Sequence, residues 1–329
     1  MRGEVFLVAT GSTPPQPGER PGRAGGGRLR LGRDPRARSA ADTLAILGGG
    51  VIGCEYACMF AALGVRVTLL DARDRLLGFL DGEIADRLAE AMRHLGVELR
   101  LGARWGAVHC VKGRGVVTAL PDGELVTEKL LFAAGRVGNT AELGLERIGL
   151  APNERGLLEV DACYRTSLPH VYAAGDVIGF PALASTSMEQ ARVAVCHAFG
   201  IAYKRSMGPM LPYGICTIPE VSCVGESEES ARAGGVDYVV GRALYRENAR
   251  GLITGDLEGM TKLLVDRASR RLVGVHVIGE RASELIHVGQ AVMHLGGTVD
   301  AFIEMVFNYP TLAESYKYAA YHALGQLRG

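Results

Sequence analysis

Apolar positions recur along this chain with two periods, and the places where one period gives way to the other predict its elements. Val5–Ala9 is a short unbroken apolar run closed by Thr10-Gly11-Ser12, which predicts a buried strand. From Leu44 the pattern becomes regular. Leu44–Leu47 predicts a strand, Val51–Leu63 a helix, Arg66–Leu70 a second strand, and Gly82–Leu95 an amphipathic helix with Ile84, Leu88, Met92 and Leu95 on one face. Strand-like runs follow at Val97–Leu101, Val108–Val111 and Val116–Leu120, with a buried one at Leu130–Ala133. This alternation predicts a parallel sheet covered on both faces, and so an α/β fold. Pro169–Asp176 predicts another buried strand, ending in Ala-Gly-Asp, with a helix over Ser185–Phe199 behind it. After Pro212 the texture changes to antiparallel-type strands at Val236–Leu244, Lys262–Asp266 and Leu272–Ile278, with helices at Ala282–His294 and Leu312–Leu324. This is a third region, of α+β type.

Pro14–Ala41 breaks the pattern. It is rich in proline, glycine and arginine and nearly free of apolar residues, so it cannot bury enough surface to offset its ordering entropy and is expected to be a disordered linker. Without interleaved aromatics its arginines fit a solvated linker better than a nucleic-acid arm. Elsewhere the composition is that of a soluble globular protein, 48% apolar and 22% charged. The 36 Lys+Arg balance 36 Asp+Glu, so no global field recruits nucleic acid or an anionic membrane. No apolar run reaches the ~18 residues of a membrane span. The seven cysteines are scattered without a Cys-x-x-Cys pair, which fits reduced thiols in a cytoplasm.

The chemistry begins at Gly48-Gly49-Gly50-Val51-Ile52-Gly53, which fits G-x-G-x-x-G. In a glycine-rich chain that pattern alone is weak. Here a strand precedes it, a helix follows, and a second strand ends in an acid, which is the context of a dinucleotide-binding βαβ unit. Gly48 permits the tight turn, Gly50 lets a pyrophosphate approach the backbone, and Gly53 lets helix and strand pack closely. The helix start offers free N–H groups and a partial positive charge to the phosphates. Asp71, 18 residues past Gly53, stands where a carboxylate can accept from the adenosine ribose 2′-OH. That favours NAD. Arg73 and Arg75 follow at once, however, and an arginine there can neutralise the 2′-phosphate of NADP, so both cofactors stay open. Cys54 and Cys58, one turn apart on the fingerprint helix, are better explained as small buried hydrophobes than as a redox pair. His287 and His294 are taken as packing or interface residues.

Further along, Ala9-Thr10-Gly11-Ser12, Ala134-Gly135-Arg136 with Asn139-Thr140, and Thr166 followed by Val171-Tyr172-Ala173-Ala174-Gly175-Asp176 together resemble the two-dinucleotide-binding flavoprotein reductases, the FAD-dependent pyridine nucleotide-disulfide oxidoreductases. Gly175–Pro181 with Leu183-Ala184-Ser185, Thr217-Ile218-Pro219-Glu220, Ile286–Ala291, and Phe307-Asn308-Tyr309-Pro310-Thr311 with Ala313-Glu314 are most similar to the transhydrogenase branch of that family. The likeness covers residues 42–329 almost continuously, and Val5–Pro14. It implies a remnant of an FAD-binding domain (1–13), the linker (14–41), a Rossmann-like doubly wound NAD(P)-binding domain (42–155), the C-terminal part of the FAD-binding domain (156–211) and an α+β dimerisation domain (212–329), in a homodimer.

The resemblance also implies roles. Gly48, Gly49, Gly50, Val51, Ile52, Gly53, Glu55, Asp71, Arg73 and Gly135 would hold the nicotinamide dinucleotide, NAD or NADP. Thr10, Gly11, Gly175, Asp176, Ala182, Leu183, Ala184 and Ser185 would hold FAD, with Asp176 on the ribitol chain and the helix after Ala182 presenting its positive end to reduced flavin. Glu55 resembles a glutamate that pairs with a lysine beside the flavin. Where the family's disulfide reductases carry a His-Pro dyad before a glutamate, this chain has Tyr309-Pro310 with Glu314 retained. A phenol with a reference pKa near ~10 is a poor proton shuttle at neutral pH, which disfavours thiol–disulfide chemistry. The expected activity is hydride exchange between NADPH and NAD+ by way of FAD. The family's first FAD-binding half, with its own glycine fingerprint, has no counterpart here, so a truncated form or fragment is expected. Alternatives are a dihydrolipoamide-dehydrogenase-like reductase and a non-catalytic nicotinamide-binding or dimerising module.

Overall fold

The computed structural model describes residues 3–15 and 41–327. The expected linker, 14–41, falls outside these except at its ends. The described residues form two compact units, one of residues 3–15 with 134–211, the other of 41–133 with 212–327. The chain passes between them at Ala133/Ala134 and Leu211/Pro212, where the expected domain boundaries stood at residues 155 and 211.

In the first unit Phe6–Val8 pairs parallel with Val171–Ala173, and Ser12–Thr13 pairs antiparallel with Val137–Gly138. Leu145, Leu150, Leu158, Val171, Ala173 and Val177 form its core, with Phe6 and Val8 packed against them. A 3-10 turn over Gly175–Ile178 leads into the helix Ala184–Ala198.

The second unit opens with a four-stranded parallel sheet in the order Glu98–Leu101, Arg66–Asp71, Thr43–Leu47, Lys129–Phe132. Successive side chains of a strand point to opposite faces, and both faces here are apolar. Leu44 and Ile46 pack with Cys54, Ala57 and Cys58 of the helix Val51–Ala62 and with Ile84, Leu88 and Met92 of the helix Gly82–His94. Ala45 and Leu47 face Val116 and the partly buried Trp105 and Leu125 instead. The expected covering of both faces is therefore present, but the second cover is the antiparallel meander Val108–Val111, Gly115–Leu120, Gly123–Thr127 rather than a helix. Each fully buried Leu or Ile contributes ~1.5–3 kcal/mol of transfer free energy, so the two faces fix the register jointly.

Residues beyond Pro212 build a five-stranded antiparallel sheet, ordered Tyr213–Ile215, Val221–Gly225, Leu272–Ile278, Met260–Asp266, Tyr238–Leu244. The helices Ala282–His294 and Ser315–Leu327 pack on it. The expected helix at Leu312 begins as a 3-10 turn, Leu312–Glu314, and becomes α-helical only at Ser315. Buried Tyr316 donates its hydroxyl to Leu285 O at 2.7 Å, tying the two helices. Among the described residues no helix is long and apolar enough to cross a membrane.

Candidate cofactor-binding site

The glycine fingerprint occupies the C-terminal end of the parallel sheet, the edge at which open α/β sheets take their ligands. Gly48 turns the chain with φ +114° and donates its N–H to Leu70 O at 2.8 Å. A Cβ on Gly53 would lie 1.8 Å from Gly48 O, so only glycine allows the helix to sit this close to the strand. A Cβ on Gly50 would meet nothing within 4 Å. The space over Gly50 is open, and no side chain caps the helix there. The first intrahelical bond runs from Cys54 N to Gly50 O, which leaves the first-turn N–H groups, Val51 and Ile52 among them, available to a ligand oxygen.

Asp71 closes the neighbouring strand and is 5% exposed. Its Oδ1 accepts from Arg73 N (2.8 Å) and Arg73 Nε (2.9 Å); its Oδ2 accepts from Arg73 Nη2 (2.7 Å) and from Gly49 N. Burial raises the carboxyl, but the Arg73 side chain, Arg73 N and Gly49 N outweigh it and hold Asp71 below the ordinary carboxylate value. The Asp71 hydrogen bond in turn raises Arg73. Ala103 N to Asp71 O and Gly102 N to Arg73 O pin the backbone of this corner. Arg75 points elsewhere, forming ion pairs with Asp86 and Glu229.

Glu55 accepts from Cys216 N at 2.8 Å, tying the fingerprint helix to the segment before Pro219, and among the described residues no lysine pairs with it. Cys58 Sγ makes a second link, to Ile218 O. Both helical cysteines are fully buried and unbridged, and burial pushes both thiols up. Glu314 lies half-buried in its 3-10 turn, while Tyr309 is exposed beside Pro310. His287 and His294 are exposed.

The first unit carries a second cradle. Gly11 (φ +72°) and Gly175 (φ +81°) follow the two parallel strands Phe6–Val8 and Val171–Ala173. Thr10 Oγ1 donates to Asn139 O, and Asn139 Nδ2 donates back to Thr10 O. Asp176 accepts from Ser12 Oγ at 2.6 Å, with Arg136 Nε 3.6 Å away and itself bonded to Ser12 Oγ. Gly175 N donates to Gln190 Oε1. The segment Ala182–Ser185 starts the helix Ala184–Ala198, whose N-terminus also has no side-chain cap. Gly135 (φ +113°) opens the chain's return into this unit.

Both cradles therefore combine glycine turns, an uncapped helix start and a carboxylate, and each leaves room where an added Cβ at Gly50 or Gly11 would meet nothing within 4 Å. That donor set fits dinucleotide phosphates and sugar hydroxyls. Sequence reasoning named Ser12 and Arg136 only as parts of motifs, without a role, and missed Gln190; their contacts span up to 164 positions. It also missed a buried ion cluster. Lys262, fully buried, is 2.6 Å from Asp81 Oδ1, 2.6 Å from Glu228 Oε1 and 2.9 Å from Glu83 Oε2. The only signal was one lysine inside the apolar run Met260–Val265.

Comparisons with known proteins match most of the chain. The profile of the pyridine nucleotide-disulphide oxidoreductases matches residues 2–198, and that of their dimerisation domain matches 211–320. The soluble pyridine nucleotide transhydrogenase of Mycobacterium bovis (strain BCG / Pasteur 1173P2) is 43% identical over 334 residues, spanning 100% of this chain and 70% of its own length. That of Hahella chejuensis is 43% identical across 99% of this chain and 71% of its own. Among solved structures, LpdA from Mycobacterium tuberculosis superposes with TM-score 0.83 at 30% identity, over 96% of this chain and 69% of that one. The HOCl-induced flavoprotein disulfide reductase of Escherichia coli superposes with TM-score 0.85 at 30% identity, over 96% and 73%.

Proposed function

This chain belongs to the pyridine nucleotide-disulphide oxidoreductase family, an oxidoreductase enzyme family, and we propose that it exchanges hydride between NADPH and NAD+ through FAD. The observation that carries the reading is the repeated cradle: two glycine turns at parallel-strand ends, each with an uncapped helix start and a carboxylate, Asp71 in one unit and Asp176 in the other. Flavin, when bound, supplies the two-electron relay, so no side chain has to act as nucleophile. The chain's own part is placement. Gly48–Gly53 and the helix behind them would hold the nicotinamide dinucleotide's pyrophosphate; Asp71 and Arg73 would hold its adenosine end. Thr10, Gly11, Gly175 and Asp176 would hold the flavin side, with the N-terminus of Ala184–Ala198 favouring negative charge on it. Tyr309, in place of a histidine, fits exchange between nicotinamides better than disulfide reduction. Residues 212–327 would join two copies, through a face on which Val306 is 94% and Tyr309 73% exposed.

The test uses the full chain as purified. A flavin absorbance band, NADPH-driven reduction of thio-NAD+ and a dimeric elution volume are the expected results. A colourless protein that binds NADH but transfers nothing would reduce it to a nicotinamide-binding module.

A further inference from the structure

From Asp71 to Asp81 the chain runs from the glycine turn to the buried ion cluster, and different parts of the same unit hold its two halves. The first half clasps Gly49. Asp71 accepts from Gly49 N, Leu77 donates its N–H to Gly49 O at 3.2 Å, and the Leu76 side chain packs so close that a Cβ on Gly49 would lie 2.7 Å from it. Leu77 itself is buried at φ +48°, a left-handed conformation that a leucine keeps only where its surroundings over-determine it. The second half is held by residues beyond Pro212. The Phe79 ring lies against Tyr213, with centroids 5.3 Å apart; Asp81 accepts from Lys262 Nζ at 2.6 Å and Glu228 N at 3.0 Å; and Gly82 N donates to Glu229 Oε1 at 3.1 Å. We propose that Lys262 and Asp81 are positioning residues for the nicotinamide dinucleotide, fixing the glycine turn in its binding geometry through residues 72–80. The proposal rests on the dinucleotide reading of Gly48–Gly53.

Glycine is the least constrained residue, so three in a row do not by themselves hold their N–H groups toward a pyrophosphate. Here the orientation comes from outside. The bonds to Asp71 and Leu77 grip the peptide groups on both sides of Gly49. A trans peptide opposes its N–H to its C=O, so Leu77 on Gly49 O turns the Gly50 N–H to the opposite side. Leu77 can do this only while residues 72–80 keep their course, and that course ends on Asp81. The Asp81–Lys262 pair has no slack: both side chains are fully buried, and a displaced partner would strand a charge in low dielectric. Linkage makes the effect reciprocal. Whatever the ion pair contributes to binding at the turn, a ligand at the turn returns to the ion pair.

The test begins with the full wild-type chain and hydrogen-exchange mass spectrometry, with and without NADH, which needs no flavin and no turnover. NADH should slow exchange over residues 72–82 and over the helix Glu228–Ala233, whose Glu228 N–H is bonded to Asp81, and leave the meander 108–127 unchanged. Calorimetry on variants follows, at a temperature where each is folded. Lys262→Met/Asp81→Asn strands no charge at this pair, and should bind NADH ~5–10-fold more weakly, at the lower end of coupling between sites, with faster exchange over 72–81. Phe302→Ala removes a buried ring packed on Tyr316, destabilises the same unit by other means, and should keep wild-type NADH affinity. Protection that stops at residue 71 overturns the proposal and leaves the site reading intact. So does a double variant within ~2-fold of wild-type affinity, or an equal loss in Phe302→Ala. A wild type that binds no NADH overturns the site reading, and the proposal with it.

Discussion

Replacing Lys262 with methionine keeps a long side chain in place and removes its charge. In the native unit the ammonium has three N–H groups and meets three carboxylates, those of Asp81, Glu228 and Glu83, within 2.9 Å. Arg242 also reaches Glu83 and Glu228, but among the described residues Lys262 is the only cation paired with Asp81, which is fully buried. Without Lys262, three carboxylate oxygens within 4.8 Å of one another would lose their common counter-ion. Removing one partner of a buried ion pair costs ~3–5 kcal/mol, because the remaining charge is stranded in low dielectric. Burial raises the Asp81 and Glu83 carboxyls, but the Lys262 hydrogen bond and its companions outweigh it, so both titrate below their ordinary 3.8 and 4.5. Depressed folded values mean that the cluster's stabilisation in the wild type is fully present above the ordinary values and is lost as pH falls through the folded ones. The Lys262 value is raised, so its share persists at neutral pH and is lost only as pH climbs past the ordinary 10.5. In Lys262→Met the sign changes: Asp81 keeps its hydrogen bonds from Glu83 N and Glu228 N but loses its paired ammonium, so its value rises and protonation relieves it. Urea denaturation followed by the fluorescence of the single tryptophan, Trp105, should show a loss of ~3–5 kcal/mol near pH 7 that shrinks toward about pH 5. Adding Asp81→Asn should recover most of it. A neutral-pH loss under ~1 kcal/mol, or one that stays constant between the two pH values, would refute the reasoning.

Two glycines of the fingerprint should separate folding from binding. Gly53→Ala puts a Cβ 1.8 Å from a backbone oxygen and should cost about 3 kcal/mol or more in denaturation experiments, whereas Gly50→Ala meets nothing within 4 Å and should stay within ~1 kcal/mol of wild type while NADH affinity drops at least ~10-fold. Equal stability of the two variants would contradict this account of the turn. Thiol alkylation of the native protein, mapped by mass spectrometry, should label exposed Cys110 and Cys216 and spare Cys54, Cys58 and Cys223. Burial pushes the Cys54 and Cys58 thiols up and Cys223 to about 12, and rapid labelling of Cys54 or Cys58 would revive a redox role for the pair.

The elements carrying the fingerprint were legible to within a residue or two, because apolar period, glycine spacing and a closing acid all lie within thirty positions. Val51–Ala62 and Arg66–Asp71 are such cases. Elements whose identity depends on a distant partner were not legible. Val221–Gly225 is a strand between Tyr213–Ile215 and Leu272–Ile278, and nothing local to its five residues distinguishes it from a loop. The short helices Glu228–Ala233 and Ala249–Thr254 begin at Ser227 and Asn248, caps that could have been noticed; Asn248 also reaches Thr311 O from its buried position, which could not.

Taken alone, the order of residues determined an α/β unit with a glycine turn and an acid at the end of the next strand, and an α+β region after it, since periodicity and glycine placement act over a few residues and survive without context. It could not establish where long charged side chains end up. Arg73 lies two positions from Asp71, yet whether its guanidinium covers that carboxylate or extends into water is a rotamer choice that this spacing leaves open and the folded corner shows as covered. Lys262 meets a partner 181 positions away, so its burial became favourable only once the sheet and the helix start at Asp81 had come together. Charge buried without a partner is too costly to persist, and in this protein the partners were chosen by the fold.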